Sequence, residues 1–284
     1  MTDEVLNMAA GPRVRPSYLK VFLMFARNSL VRDMTFRMNF FLDAATSIIW
    51  MLMNLAFYVL VYEYTPSLGS GWGKYEFFVF LATGMFINST VQAFCMPNAN
   101  EFGEQIRTGH LDFALTKPID TQFLVSFSKI EWSGLANFAV AAVLLGYSLM
   151  RTEHQPSLAE CLLYPFYVIC GVAILYSLMM PLAAAAVWLG RNESLYEYWF
   201  YVINFSRYPM DIYRGTFGTP LRLLFTYFFP VLIVVNVPAR LLAKPLDPDN
   251  WWFAVCAIVA TLASLAVSRW IFQRALGSYR SASS

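Results

Sequence analysis

Two histidines, four cysteines, a glycine-rich loop and one compact charged segment are the places where this chain could do chemistry. Cys95, Cys161, Cys170 and Cys256 lie in or beside apolar runs, and no pair has metal-ligand spacing, so they read as small buried apolar residues. GSGWGKY, Gly69–Tyr75, imitates a phosphate-binding loop, which needs G-x-x-x-x-G-K-[ST] between a strand and a helix. Leu68 stands where the first glycine belongs and Tyr75 replaces Ser or Thr, so the stretch reads as a turn-rich connection. The charged segment is EQIRTGHLDFALTKPID, Glu104 to Asp120, with two basic and three acidic residues between long runs of Phe, Leu, Ala and Val.

The elements around these residues are set by composition. Of the 284 residues, 58% are hydrophobic and 13% charged, against about a quarter charged in a soluble domain. The apolar blocks approach the roughly 20 residues that cross a bilayer. Six spans can be drawn: Phe40–Val61, Phe77–Met96, Trp132–Leu149, Cys161–Leu189, Leu223–Ala239 and Trp251–Val267. Pro165 and Pro181 predict a tilt or kink in the fourth, and Pro230 interrupts the short fifth. The expected fold is an all-α integral membrane protein. Sixteen of the twenty Lys and Arg residues fall on one side of these spans, which places both termini in the cytoplasm. His110 and His154 then face opposite sides and share no metal. The net charge of +2 gives no reason to expect nucleic acid as a partner. Met1–Ser17 is polar and has no apolar core, so it does not read as a signal peptide.

Two further pieces are expected on the inner face. Tyr18–Asn39 reads as a helix lying along the membrane surface. Tyr196–Tyr213, YEYWFYVINFSRYPMDIY, carries eight aromatics and reads as an interfacial segment. Within the spans the polar residues are neutral: Asn54, Asn88, Gln92, Asn137 and Asn236. They are candidates for a translocation path, with interhelical hydrogen bonding as the plainer role. Asp43 and Glu131 lie only at span edges, so no mid-membrane carboxylate offers itself to a coupling ion. No nucleophile, base or carboxylate pair within a predicted span points to an enzyme, and energy for any transport must come from elsewhere, or the protein is passive.

The charged segment joins spans two and three on the cytoplasmic side. Pro97 and Asn98 read as a helix start, with Glu101 and Glu104 in its early turns. Glu104 and Arg107, three apart, can pair. Gly109 suits the left-handed position that ends a helix. A second short turn through Leu111, Asp112, Ala114 and Leu115 closes at Lys117–Pro118. The result is a short helix parallel to the membrane, of the kind that docks in a groove on a soluble partner. A solvated loop capping two helices would look similar.

The pattern E-x-x-E-x-I-R-x-G-x-L-D-x-x-L-x-K-P, Glu101 to Pro118, resembles the permease subunits of type-2 ABC exporters, in particular the bacterial ABC-2 family transporter proteins. RYP at Arg207–Pro209 and FFPVLIVVNVP at Phe228–Pro238 resemble the same group, and the likeness covers nearly the whole chain. The resemblance implies one permease domain, residues 1–284, in a bacterial inner membrane, with a surface helix over 18–39 and a coupling segment over 98–118. It implies a dimer of ABC ATPases beneath two permeases, the second being the same or a paralogous chain. ATP and magnesium would sit on the ATPase, with no cofactor on this chain. Glu101, Glu104, Arg107, Gly109, Asp112, Lys117 and Pro118 would form the ATPase contact. Residues 223–250 would form a short span with re-entrant helices on the outer side. A scaffold that recruits a soluble enzyme, or a carrier working without ATP, are the alternatives.

Overall fold

The computed structural model describes residues 17–67, 71–189, 200–244 and 251–279, and its regular elements are helical. Met1–Pro16, the start of GSGWGKY, Arg191, the first residues of Tyr196–Tyr213, the end of the Arg240–Asn250 connection and Arg280 lie outside the described residues. Helix α1 (Tyr18–Thr35) leads through Phe36 into α2 (Arg37–Tyr64). α3 (Lys74–Phe94) runs on into α4 (Met96–Arg107), followed by two short helices, α5 (His110–Leu115) and α6 (Thr121–Phe127). A 3-10 turn, Trp132–Leu135, opens α7 (Ala136–Arg151). α8 (Leu158–Ala184) ends in a four-residue α9 (Ala186–Leu189). α10 (Gly215–Leu223) winds into a π turn at Leu224–Phe228, then come α11 (Val231–Ala243) and α12 (Trp251–Ser278).

Local chemistry sets the starts of the long helices. SLAE opens α8 with reciprocal bonds: the Ser157 hydroxyl accepts from the Glu160 N–H, and the Glu160 carboxylate accepts from the Ser157 N–H. The Gly73 N–H donates to Glu76 at the start of α3. α8 continues through both Pro165 and Pro181, and its regular hydrogen bonding is interrupted only at Ala185, before α9.

The centre of the bundle is α11, buried at every residue but Arg240 and packed against α3 and α8. Its approach to α8 is a backbone contact: a Cβ built on Gly171 would lie 2.9 Å from the Val234 carbonyl oxygen. Pro238 carries no N–H, so that same carbonyl has lost its helical donor. Asn236 donates to the Leu232 carbonyl at 2.7 Å and accepts from the Met210 N–H at 2.9 Å, tying the turn Met210–Ile212 to the core.

The C-terminal end of α11 belongs to a polar cluster. The fully buried Trp72 donates its indole N–H to Asp211 at 2.9 Å, and Arg240 forms an ion pair with the same carboxylate. Burial alone would raise the Asp211 carboxyl, but the Trp72 and Arg240 bonds outweigh it and hold it below the usual range. Lys244 donates to the Gly71 carbonyl at 2.6 Å and sits 4.6 Å over the Trp72 ring. Removing one partner of such a partly buried pair costs about 3–5 kcal/mol.

This cluster corrects the expected topology. Trp72 belongs to the connection between α2 and α3, so Asp211 lies at that end of the bundle, the far end. At the near end α1 packs against the chain entering α7: the Ile130 N–H donates to Ser29, the Trp132 N–H to Asp33, and the Trp132 indole to the Ala26 carbonyl. α9 packs on α4 and α12, also at the near end. Leu189 thus lies at the near end and Met210–Tyr213 at the far end, so that part of Tyr196–Tyr213 is not on the side where it was expected. The expected fifth span, Leu223–Ala239, is not a straight crossing. The π turn and α11 meet at an 87° bend around Pro230, and both arms of the pair return to the far end, at Arg214 beside Asp211 and at Lys244 beside Gly71. Five described helices or helix runs are long and apolar enough to cross a membrane, with this bent pair as a sixth candidate by composition only. With Arg207, Arg214 and Arg222 at the far end, nine basic residues among the described ones lie at the near end against seven at the far end, so the charge bias keeps its sign. Cys95 and Cys170 are buried as expected, whereas Cys161 is exposed on the outside of α8.

In a background with the four native cysteines replaced, Arg214→Cys and Arg151→Cys should react with a membrane-impermeant maleimide from the same side, and Phe113→Cys from the other. Labelling of Arg214→Cys and Phe113→Cys from one side would sink the re-entrant assignment. Gly171→Val should lower stability to detergent denaturation by about 1–3 kcal/mol. Gly146→Val is the control, because a Cβ there meets nothing within 4 Å.

Candidate coupling segment and polar cavity

The charged segment begins as the end of a rod. α3 and α4 together form one 34-residue helix, Lys74–Arg107, about 51 Å long against a hydrocarbon core of about 30 Å. Its first half thus follows the axis of the span, where a helix parallel to the membrane was expected. Pro97 does lie in the first turn of α4, but Asn98 does not cap it. Asn98 is buried and works as a clip: it donates to the Phe94 and Lys129 carbonyls at 2.8 and 2.7 Å, and accepts from the Ser128 hydroxyl and the Lys129 N–H. Glu101 pairs with Lys129 at 2.6 Å. Glu104 and Arg107 form the expected pair, also at 2.6 Å and in the open, and the hydrogen bonds from Arg107 hold the Glu104 carboxyl below its ordinary value.

Gly109 has φ 74°, the left-handed conformation expected of it, directly after the C-cap Thr108. The turn aims α5 back at the bundle. Leu111 is fully buried and shares the core with Phe102, which meets Phe272 of α12 at 5.7 Å between ring centres. Asp112 lies beside the Tyr279 hydroxyl, which burial and that carboxylate push up from its ordinary value. Phe113 is 69% exposed and Leu115 42%, while Lys117 and Pro118 form an exposed turn. Asp120 caps α6, accepting from the Phe123 N–H at 3.0 Å, and its carboxylate is gripped by Arg269 of α12, which also bonds Gln122 at 2.8 Å. Of the seven expected contact residues, Glu104, Arg107, Lys117 and Pro118 are exposed at the near end, as are Phe113 and Leu115, whereas Gly109 is half-buried, Glu101 is drawn to Lys129 and Asp112 lies beside Tyr279. The Asp120–Arg269 pair is not legible from the sequence, although an arginine just past the last apolar block was a signal for it.

Four of the five neutral mid-span candidates also come together. Asn54, Asn88, Gln92 and Asn137 line one cavity of about 580 Å³ between α2, α3, α7 and the stretch Phe200–Arg207. Asn236 does not join them, because both sides of its amide are committed inside the core. Toward the near end, Ser47, Gln92, Asn100 and Glu131 are shared with a second, wider cavity of about 920 Å³ that opens past Arg32, Asp33, Asp43 and Lys129. Burial, together with the charges of Asp33 and Asp43, raises the Glu131 carboxyl above its ordinary value. A polar route therefore runs from the near end into the middle of the bundle. Among the described residues no group of three or more His, Cys, Asp or Glu could hold a metal ion.

Long apolar helices around a polar route that opens at one end define a multi-pass membrane transport component. The family can be stated as well: residues 48–283 match the ABC-2 family transporter protein family, and the chain belongs to it. The matched region takes in the cavity, the charged segment and the re-entrant pair, and leaves out α1. Comparison with curated proteins and with solved structures returned no match.

The Asp120 prediction carries a sign. Hydrogen bonds from Arg269 and then the Phe123 N–H lower its carboxyl in the folded chain, against the opposing effect of burial. Its contribution is therefore present above the ordinary carboxylate range and is lost as pH falls through the lowered value. Asp120→Asn should be less stable than the parent in neutral detergent buffer, and the two melting curves should converge on acidification. A gap that is constant down to acid pH would count against the pair.

Proposed function

We propose that this chain is the permease subunit of an ABC exporter in a bacterial cytoplasmic membrane, driven by alternating access through separate ATPase chains. Members of the ABC-2 family generally work with an ABC ATPase. The observation that carries the reading is the near-end surface. Exposed Phe113 and Leu115 stand among charged Glu104, Arg107 and Lys117, on a segment bonded to α12 through Asp120 and Phe102. An apolar centre with a polar rim is what a protein partner recognises, and the bonds behind it carry a displacement into the membrane helices. The basic excess of that end supports placing it in the cytoplasm, where ATP is found.

In this reading α1 lies along the inner surface, and the re-entrant pair closes the outer end above the cavity. Two permeases, the same chain or a paralogue, complete the path. α2 buries only Met51, Tyr58 and Tyr62, so the cavity is left with a thin wall on the side where a second permease would stand. ATP and magnesium bind the ATPase, whose closure pushes on α4 and α5.

Tagged protein extracted in mild detergent should bring down a soluble ATPase and its activity. Reversing both charges of the Glu104–Arg107 pair together with Phe113→Asp should reduce the recovered ATPase at least about tenfold, with insertion unchanged. Gly109→Val, which forces a β-branched residue into a left-handed turn at a cost of about 1–2 kcal/mol, should leave ATP hydrolysis but lower transport. Full ATPase recovery by the triple variant would place the docking surface elsewhere.

A further inference from the structure

The amides around the 580 Å³ cavity are not neutral in the hydrogen bonds they offer. Asn54 donates its NH₂ group to the Trp50 carbonyl at 2.8 Å and Asn88 donates to the Gly84 carbonyl at 2.9 Å, each one turn back on its own helix. Both amides are thereby fixed in orientation, with their acceptor oxygens left over. Asn137 is 8% exposed, lines the same cavity, and its buried side-chain oxygen has no hydrogen-bond partner. An unmatched buried acceptor is unfavourable, and a ligand donor would recover that cost. Three acceptors thus await donors.

Charge is distributed unevenly along the same wall. Arg207 is the one cation among the described lining residues, and Glu131 the one carboxylate. Arg207 shares its part of the cavity with Tyr58, toward the far end, whereas Glu131 marks the junction with the near-end cavity. Among the described residues Arg207 pairs with no carboxylate. A guanidinium fork in a membrane bundle is suited to a phosphate or carboxylate. Met51, Phe80 and Met85 supply apolar wall between these groups.

We propose that this cavity binds the head group of an anionic amphiphile that carries hydroxyls. The anionic group sits on Arg207, and the hydroxyls donate to the oxygens of Asn54, Asn88 and Asn137. Glu131 repels the anion from the near end and so fixes the orientation. The inference rests on the permease reading only for calling the ligand a cargo; the binding itself needs no ATPase.

The test uses the full chain in a polyoxyethylene detergent, which brings neither charge nor a polyol head. Calorimetric titration compares three probes: dihexanoyl phosphatidylglycerol, dihexanoyl phosphatidylcholine, which lacks hydroxyls, and hexyl glucoside, which lacks charge. The glycerol head should bind about tenfold or more tightly than either control. Arg207→Gln should abolish its advantage over the glucoside, Arg207→Lys should keep part of it, and Asn137→Leu should abolish its advantage over the choline head. Asn54→Leu, on the exposed α2, serves should Asn137→Leu unfold. Lipid analysis of the purified chain separates the sources: a stoichiometric anionic phospholipid marks a resident lipid, and an empty, titratable site marks a cargo site. Equal affinity for the three probes, or parental affinity in Arg207→Gln, would overturn the proposal. Binding that survives when no ATPase co-purifies would keep this proposal while removing the exporter reading.

Discussion

The contact between Gly171 and the Val234 carbonyl is the constraint on which the other positions depend. Only a residue without a Cβ lets α8 come so close, and only that closeness lets a 13-residue helix fill the centre of a bundle whose other members are about twice as long. Once α11 is there, its polar groups need partners. Asn236 takes the Met210 backbone, and Arg240 takes Asp211. Those bonds bring Trp72 and the α2–α3 connection over the far end. α10, by contrast, buries none of its nine residues and stays outside.

The near end is built on a different principle. Its segment is too polar to be held by apolar area, so directional bonds do the holding: Asn98 to the Lys129 backbone, Glu101 to Lys129, Asp120 to Arg269. Leu111 and Phe102 add a small apolar anchor beneath. Such bonds fix orientation as well as distance. The two ends are joined by α3, α8 and α12, with α8 packed against both of the others.

How much of this was legible in the sequence depended on whether the signal was local. Gly109 was readable because a left-handed turn has a residue type of its own, and the Glu104–Arg107 pair because helical spacing sets it. The long apolar runs gave the straight spans. Leu223–Ala239 was readable in part: Pro230 marked the interruption and the family likeness implied re-entrant helices, but hydropathy measures composition and does not show the 87° bend itself. Tyr196–Tyr213 misled: its charged and aromatic residues look interfacial, but Asp211 is matched by Arg240 and Trp72, far away in the chain. The candidate amides were found by their rarity in apolar runs. That Asn236 serves the core and the other four face a cavity is decided by packing alone.

The run Lys74–Arg107 carries Asn88 and Gln92 on the cavity wall and Glu104 and Arg107 at its tip. From Gln92 to Arg107 is fifteen residues, about 22 Å of helix. Treated as a beam, it converts a tilt of about ten degrees at the wall into a tip excursion of about 4 Å, and the reverse. The gearing is slackened at one point, Cys95, where φ −107° departs from helical values two residues before Pro97. The stiffness of that single joint sets how much of a stroke at one end is felt at the other.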